Sequence, residues 1–351
     1  MRIIIRNSIL FFLVFMLVIL ASTEIIQKGD VYEAVTKTFK KNKQGRIKIS
    51  TADGISDIPM EDNKFNVINK STGDVVDTIV TNVNGNGITE LLDYNTIYIL
   101  RQTKVEEPYL TTASTIEVEI NQKIEKVRVD IKMPNYIKEY HRDKDNNIVI
   151  TDVRMDVGVL MQEPELPNGC EITALTCTLN YYGYDATKTN LSDRFLPKKP
   201  FENRNGKLYG ADPHKLYGGD PRSRDQGFYS YPSPVAEAAD QYLISMGKET
   251  KAEIINGSSK EEIKGYLNRG IPIIMWITVD LEKPKLGKSW YLYETNEKFD
   301  SIRNSHTVVV RGYNENTFYI MDPLKGYVSY DIEKLWASYE AAGKYAMIIL
   351  K

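Results

Sequence analysis

The feature that most constrains this 351-residue chain is a change of hydrophobic period partway along it. From about Gly45 to Ile131 the apolar residues fall in short alternating runs, such as "KFNVIN", "DVVDTIVTNV", "TIYILRQT" and "TIEVEIN". The breaks "KSTGD", "NVNGNG" and "LLDYN" are rich in Asn, Gly and Asp, which tolerate turn geometry. Period two sends alternate side chains to opposite faces, so residues 45–131 predict a small, all-β antiparallel sandwich. Pro134 and the polar run "EYHRDKDNN", Glu139 to Asn147, then mark a linker or a hairpin at 132–152.

From about Val153 the period lengthens. "CEITALTCTLNYYG" carries Ile172, Leu175, Leu179 and Tyr182 on one helical face, and Gly183 ends it. Pro232 to Met246 predicts a second helix. Ser259 and Glu262 form a capping box that opens a third, stopped by Gly270. "IPIIMWITV", Ile271 to Val279, is short, β-rich and apolar throughout, the pattern of a buried strand. "HTVVVRGY" and "TFYIMD", joined by "NENT", predict a β-hairpin. Residues 153–351 are therefore α+β in class.

Two further features bound the function. Arg2 and Arg6 precede the apolar run Ile9 to Ala21, which is shorter than the roughly 20 residues of a spanning helix. Residues 1–23 therefore predict a secretory signal, with an uncleaved membrane anchor as the alternative. Either places the chain outside the cell or on its surface, with membrane contact only through this segment. The 45 basic and 47 acidic residues nearly balance, giving no electrostatic reason to expect nucleic acid.

Export makes the cysteines informative, because exported proteins that need staples carry several paired ones. This chain has two, Cys170 and Cys177, on one predicted helix and about 10 Å apart along its axis. That is too far for a disulfide. His141, His214 and His306 show no paired Cys/His spacing, so no metal or cofactor is expected. Cys177, inside the helix, predicts core packing.

Cys170 differs by standing at the first turn, with Asn168 and Gly169 as capping and turn residues. The helix dipole and free N–H groups there are expected to lower its pKa. His306 begins one strand of the predicted hairpin and Asp322 ends the other, so an imidazole and a carboxylate can meet at one end of the sheet. His306 would take the thiol proton and Asp322 would hold the ring. Gln162, just upstream of the helix, offers a side-chain amide to an oxyanion, with the Cys170 N–H as second donor.

The blocks "PELPNGCEITALTCTLNYYGYD", "YGGDPRSRDQGFYSYPSPVAEAADQYL", "EEIKGYLNRGIPIIMWITV" and "SHTVVVRGYNENTFYIMDPLKGYVSYD" resemble, in order, the double-glycine-leader peptidase-like proteins. These are papain-clan cysteine proteases of family thirty-nine. The resemblance implies a papain-like fold, Cys170 as nucleophile, His306 as base, Asp322 as orienting carboxylate, Gln162 as oxyanion donor, and a peptide or protein substrate. True leader peptidases are fused to a transporter ATPase, and no Walker A motif is present here, so leader cleavage is not implied.

"KFNVINKSTGDVVDTIVTNVNGNGITELLDYNTIYILRQTKVEEPY" resembles the prealbumin-like (collagen-adhesin B-type) repeat of Gram-positive surface proteins. Some such domains form a Lys–Asn isopeptide bond. Lys48 and Asn121 fall at plausible positions, but Gln102 stands where the promoting Glu is expected, and an amide cannot do acid/base work. The region is thus expected to be a spacer without the crosslink, able to meet a cell-wall or surface partner. Two other functions stay open at this stage: a non-catalytic binding or adhesion module, and a cell-wall peptide amidase or transpeptidase.

Overall fold

The computed structural model describes residues 43–249 and 251–350; the expected signal segment 1–23 lies outside them. The chain divides into two compact units that meet between Lys132 and Met133.

In the first unit, Gln44–Asp53 pairs with Asn86–Ile88, Leu92–Asp93 and Ile124–Ile131 to make one four-stranded sheet. The other runs Val75–Val80, Lys64–Asn69, Ile97–Lys104, Ile116–Glu119. Alternation buries Ile47 and Ile49 from the first sheet and Phe65, Val67, Tyr98 and Leu100 from the second. One pairing departs from the antiparallel expectation. Gln44–Asp53 and Ile124–Ile131 run parallel, in register from Arg46 and Ile124 to Asp53 and Ile131. Parallel neighbours need a long crossover, and here the connection holds the whole second sheet and the short strands Asn86–Ile88 and Leu92–Asp93 of the first. Lys48 and Asn121 are both exposed. Gln102 is buried, its amide engaged by Asn63 and Thr112.

The second unit is organised on an eight-stranded sheet whose neighbours all run antiparallel. In spatial order it runs Ala252–Ile254, Ala346–Ile349, Ile273–Thr278, Ser305–Tyr313, Ile148–Arg154, Ile137–Arg142. Thr317–Asp322 also pairs with Ser305–Tyr313, and Gly326–Asp331 with Thr317–Asp322. All six residues of Ile273–Thr278 are buried, as their apolar run predicts.

The segment 132–152, with a linker and a hairpin both open from its sequence, holds the strands of a hairpin, Ile137–Arg142 and Ile148–Arg154. Val153 and Arg154 then pair with Tyr313 and Gly312. At Gly312 a Cβ would lie 1.9 Å from the Val153 carbonyl oxygen, so this join requires glycine.

The helix Cys170–Tyr181 was expected to bury one face, yet every residue from Cys170 to Leu179 is buried. It packs on the strands Ser305–Tyr313 and Ile273–Thr278 and on the helices Lys188–Arg194 and Pro232–Ser245. The buried hydroxyls of Thr176 and Thr178 donate to the carbonyls of Ile172 and Ala174, 2.6 and 3.0 Å away, which makes their burial tolerable. The capping box of the helix Lys260–Asn268 is present, with Glu262 N–H donating to Ser259 Oγ and Ser259 N–H to Glu262 Oε2.

Candidate active site

Cys170 is the first residue of its helix, and Gly169 is the N-cap. A Cβ at Gly169 would sit 2.6 Å from Leu166 Cβ, so only glycine lets the preceding turn close against the helix start. Asn168 does not cap the helix. Its Nδ2 donates to the carbonyls of Ser223 and Arg224, at 2.7 and 3.2 Å, and so ties the loop 219–227 to the turn before Cys170.

His306 and Asp322 lie on neighbouring antiparallel strands, both almost completely buried. His306 Nε2 is 2.8 Å from Asp322 Oδ1. The same oxygen accepts from Leu324 N–H at 2.8 Å, and Tyr330 donates its hydroxyl to Oδ2 at 3.4 Å. Burial alone would raise the Asp322 carboxyl. The hydrogen bond and charge of His306, the Leu324 N–H and the Lys325 ammonium outweigh it and hold that carboxyl below its ordinary range. Pairing through Nε2 leaves Nδ1 as the ring nitrogen available to a substrate or a thiol.

Gln162, Asn168, Cys170 and His306 line one cavity of about 310 Å³, together with Tyr229 and Leu324. Gln162 Nε2 donates to the Pro167 carbonyl at 2.6 Å, leaving one amide N–H, while its buried Oε1 has no protein partner. The Gln162 backbone is held twice. Its N–H donates to Pro323 O, beside Asp322, at 2.9 Å, and its carbonyl accepts from Lys188 Nζ at 2.8 Å. Lys188 is itself buried, and it also pairs with Glu165 at 2.6 Å. This lysine anchors the segment that carries Gln162; its sequence signal, a lone Lys at a helix start, was too weak to single out.

The expected low pKa of Cys170 is not what this environment produces. Burial, the Glu171 carboxylate and the hydrogen bond from Sγ to Glu171 Oε2, at 3.3 Å, push the thiol well above its ordinary value. The N–H and hydroxyl of Thr307 oppose this without prevailing. The helix dipole is present, but the burial of the thiol, together with the carboxylate one residue away, outweighs it. Cys177 sits in the core, 3.8 Å from Met321 Sδ, and burial raises its thiol to about 12. Both cysteines are free thiols.

Among the described residues, no three His, Cys, Asp or Glu side chains gather as a metal would require. No helix among them is long and apolar enough to cross a membrane.

The family model of the Peptidase_C39 like family matches residues 154–347, more than half of the chain. The chain is similar to the uncharacterized protein YvpB of Bacillus subtilis (strain 168), 28% identical over 244 residues, covering 65% of this chain and 92% of that one. Among solved structures it is similar to a chain described as a C39-like peptidase, from Bacillus anthracis. That match has 27% identity and a TM-score of 0.50, over 57% of this chain and 98% of the other. The group B streptococcus pilus 2b backbone protein also matches, at 14% identity and a TM-score of 0.23, over 26% of this chain and 42% of that one.

Proposed function

We propose that this chain, which belongs to the Peptidase_C39 like family, is an exported cysteine peptidase acting through Cys170, His306, Asp322 and Gln162. The observation that carries the reading is the buried His306–Asp322 pair, 2.8 Å apart, whose imidazole opens on the same cavity as Cys170 and Gln162. His306 Nδ1 takes the Cys170 proton, and Asp322 holds the ring through Nε2. Sulfur then attacks the peptide carbonyl carbon. The oxyanion is met by the free Gln162 amide N–H and the Cys170 backbone N–H, which has no intrahelical partner at the helix start. The leaving amine departs with the proton held by His306. Water, deprotonated by the same imidazole, hydrolyses the thioester and returns the thiol.

The basic and apolar N-terminal run supports export, and a peptide or protein substrate follows from the chemistry. Alkylation by iodoacetamide tests the reading. Cys170 is expected to react faster than Cys177, and His306→Ala is expected to slow Cys170 alone. Equal reaction of the two thiols, or no effect of His306→Ala, would reject it.

A further inference from the structure

Glu171 follows the nucleophile and is fully buried. Its Oε1 accepts from Ser230 N–H at 2.9 Å and its Oε2 accepts from Cys170 Sγ at 3.3 Å. The sulfur's hydrogen bond therefore runs to a carboxyl rather than to His306. The titratable groups facing Glu171 are Cys170 on its own helix, Tyr217 from the strand Tyr217–Gly218, and Tyr229 from the segment before the next helix. The Tyr217 hydroxyl donates to the Asn168 carbonyl, and that of Tyr229 accepts from the Ile302 N–H and donates to Tyr231, so neither is spent on Glu171. None of the groups that shift the Glu171 carboxyl is a cation. A buried carboxylate without a cationic partner is costly, and the nucleophile's own proton is its nearest relief.

We propose that Glu171 is a positioning residue that sets when Cys170 can become a thiolate. As a carboxylate it holds the sulfur as a thiol and opposes a second negative charge beside it. As a carboxylic acid it donates its proton's hydrogen bond to sulfur, while the thiol proton moves to His306 Nδ1. Thr307, whose N–H and hydroxyl favour the thiolate, then completes the sulfur's surroundings. Burial raises the Glu171 carboxyl to about 7, which puts the exchange between the two forms near neutrality. The thiolate–imidazolium pair is therefore favoured below about 7, where Glu171 is neutral, and opposed above it. This rests on the Cys170–His306 reading above and adds a residue that reading does not use.

The test is the pH profile of Cys170 alkylation by iodoacetamide, from acid to mildly alkaline pH, in the full chain and in Glu171→Gln. The glutamine amide keeps the bond from Ser230 and stays neutral. The variant should therefore alkylate at least about tenfold faster than the parent at alkaline pH, the effect of removing one close negative charge, and converge with it in acid. The parent itself should lose reactivity as pH rises through neutrality before ordinary thiol ionisation restores it. A profile in which Glu171→Gln is no faster at alkaline pH overturns the proposal. So does a parent profile that rises monotonically, which decides the matter even if the variant fails to fold. His306→Ala separates the failures. If it leaves the acid-side rate unchanged, the peptidase reading falls. If it slows that rate while Glu171→Gln changes nothing, only the role of Glu171 falls.

Discussion

In the first unit the buried amide of Gln102 is closed at both ends. Its Nε2 donates to Asn63 Oδ1 at 2.9 Å, and its Oε1 accepts from Thr112 N–H at 2.8 Å. Asn63 passes the chain on to the carbonyls of Met60 and Glu61. In the second unit the buried polar groups around Cys170 are left partly open. Gln162 Oε1 and Ser230 Oγ have no protein partner. Among the described residues, every buried side-chain atom without a partner belongs to this unit. A closed network specifies one packing, whereas an open one stores capacity for hydrogen bonds that a reacting group can use. At Gln162 and Ser230 the contrast marks hydrogen-bonding capacity left unspent beside Cys170 and Glu171.

The comparison breaks most sharply at the two cysteines of one helix. Cys170→Ala is expected to abolish hydrolysis of any peptide substrate and to remove the fast-alkylating thiol. Cys177→Ala should leave both in place and cost on the order of 1 kcal/mol or more, for the cavity left against Met321. Turnover assays and thermal melting of the two variants check this. Loss of turnover in a folded Cys177→Ala protein would reverse the assignment.

Next in size are His306 and Asp322. His306→Ala should lower turnover about 10²–10⁴-fold, the usual worth of a positioned base. Asp322→Asn should cost less, because an amide oxygen still accepts from His306 Nε2 and from Leu324 N–H. Equal damage would mean that the charge itself is required. The same variant tests linkage. The folded Asp322 carboxyl lies below its ordinary range, so its contribution to stability is present above the unfolded value and is lost as pH falls through the folded one. Asp322→Asn is therefore expected to flatten the acid side of a plot of melting temperature against pH.

Much of this was legible in the sequence, and the parts that were not share a cause. The helix start at Cys170, the capping box at Ser259 and the His306–Asp322 hairpin follow from local rules: turn residues, caps and periodicity. The parallel pairing of Gln44–Asp53 with Ile124–Ile131 does not, because it joins strands separated by the whole of the second sheet. The raised thiol of Cys170 is invisible to local rules for a related reason. Position at a helix N-terminus favours a lowered value, while burial and the Glu171 side chain, which oppose it, act only once the loop 219–231 and the strand Ser305–Tyr313 have closed over the helix. Lys188 likewise acquires its role only by reaching back to the carbonyls of Met161 and Gln162.

A smaller effect, confined to the first unit, sharpens the contrast. Gln102→Leu should leave Asn63 Oδ1 and Thr112 N–H without their partner, costing about 1–3 kcal/mol of that unit's stability. Cys170 alkylation in the same protein should not change. A change would mean that the first unit's network bears on Cys170.

The smallest expected effect comes from the largest deletion. Every residue proposed for the chemistry lies between Gln162 and Asp322, and the sheet beneath it begins with the hairpin Ile137–Arg142 and Ile148–Arg154. A chain beginning at Met133 is therefore expected to keep the iodoacetamide reactivity of Cys170 and activity on a small peptide. Beginning at Val153 is different. It would cut the strand whose Val153 and Arg154 pair with Tyr313 and Gly312, and would remove the Ile150 carbonyl that accepts from the Tyr313 hydroxyl. That strand continues to His306, so the shorter chain should melt at a lower temperature and alkylate less selectively between Cys170 and Cys177. Equal melting of the two truncated chains would show that the hairpin is dispensable. Loss of Cys170 reactivity in a folded chain beginning at Met133 would show that the sandwich helps to build the site.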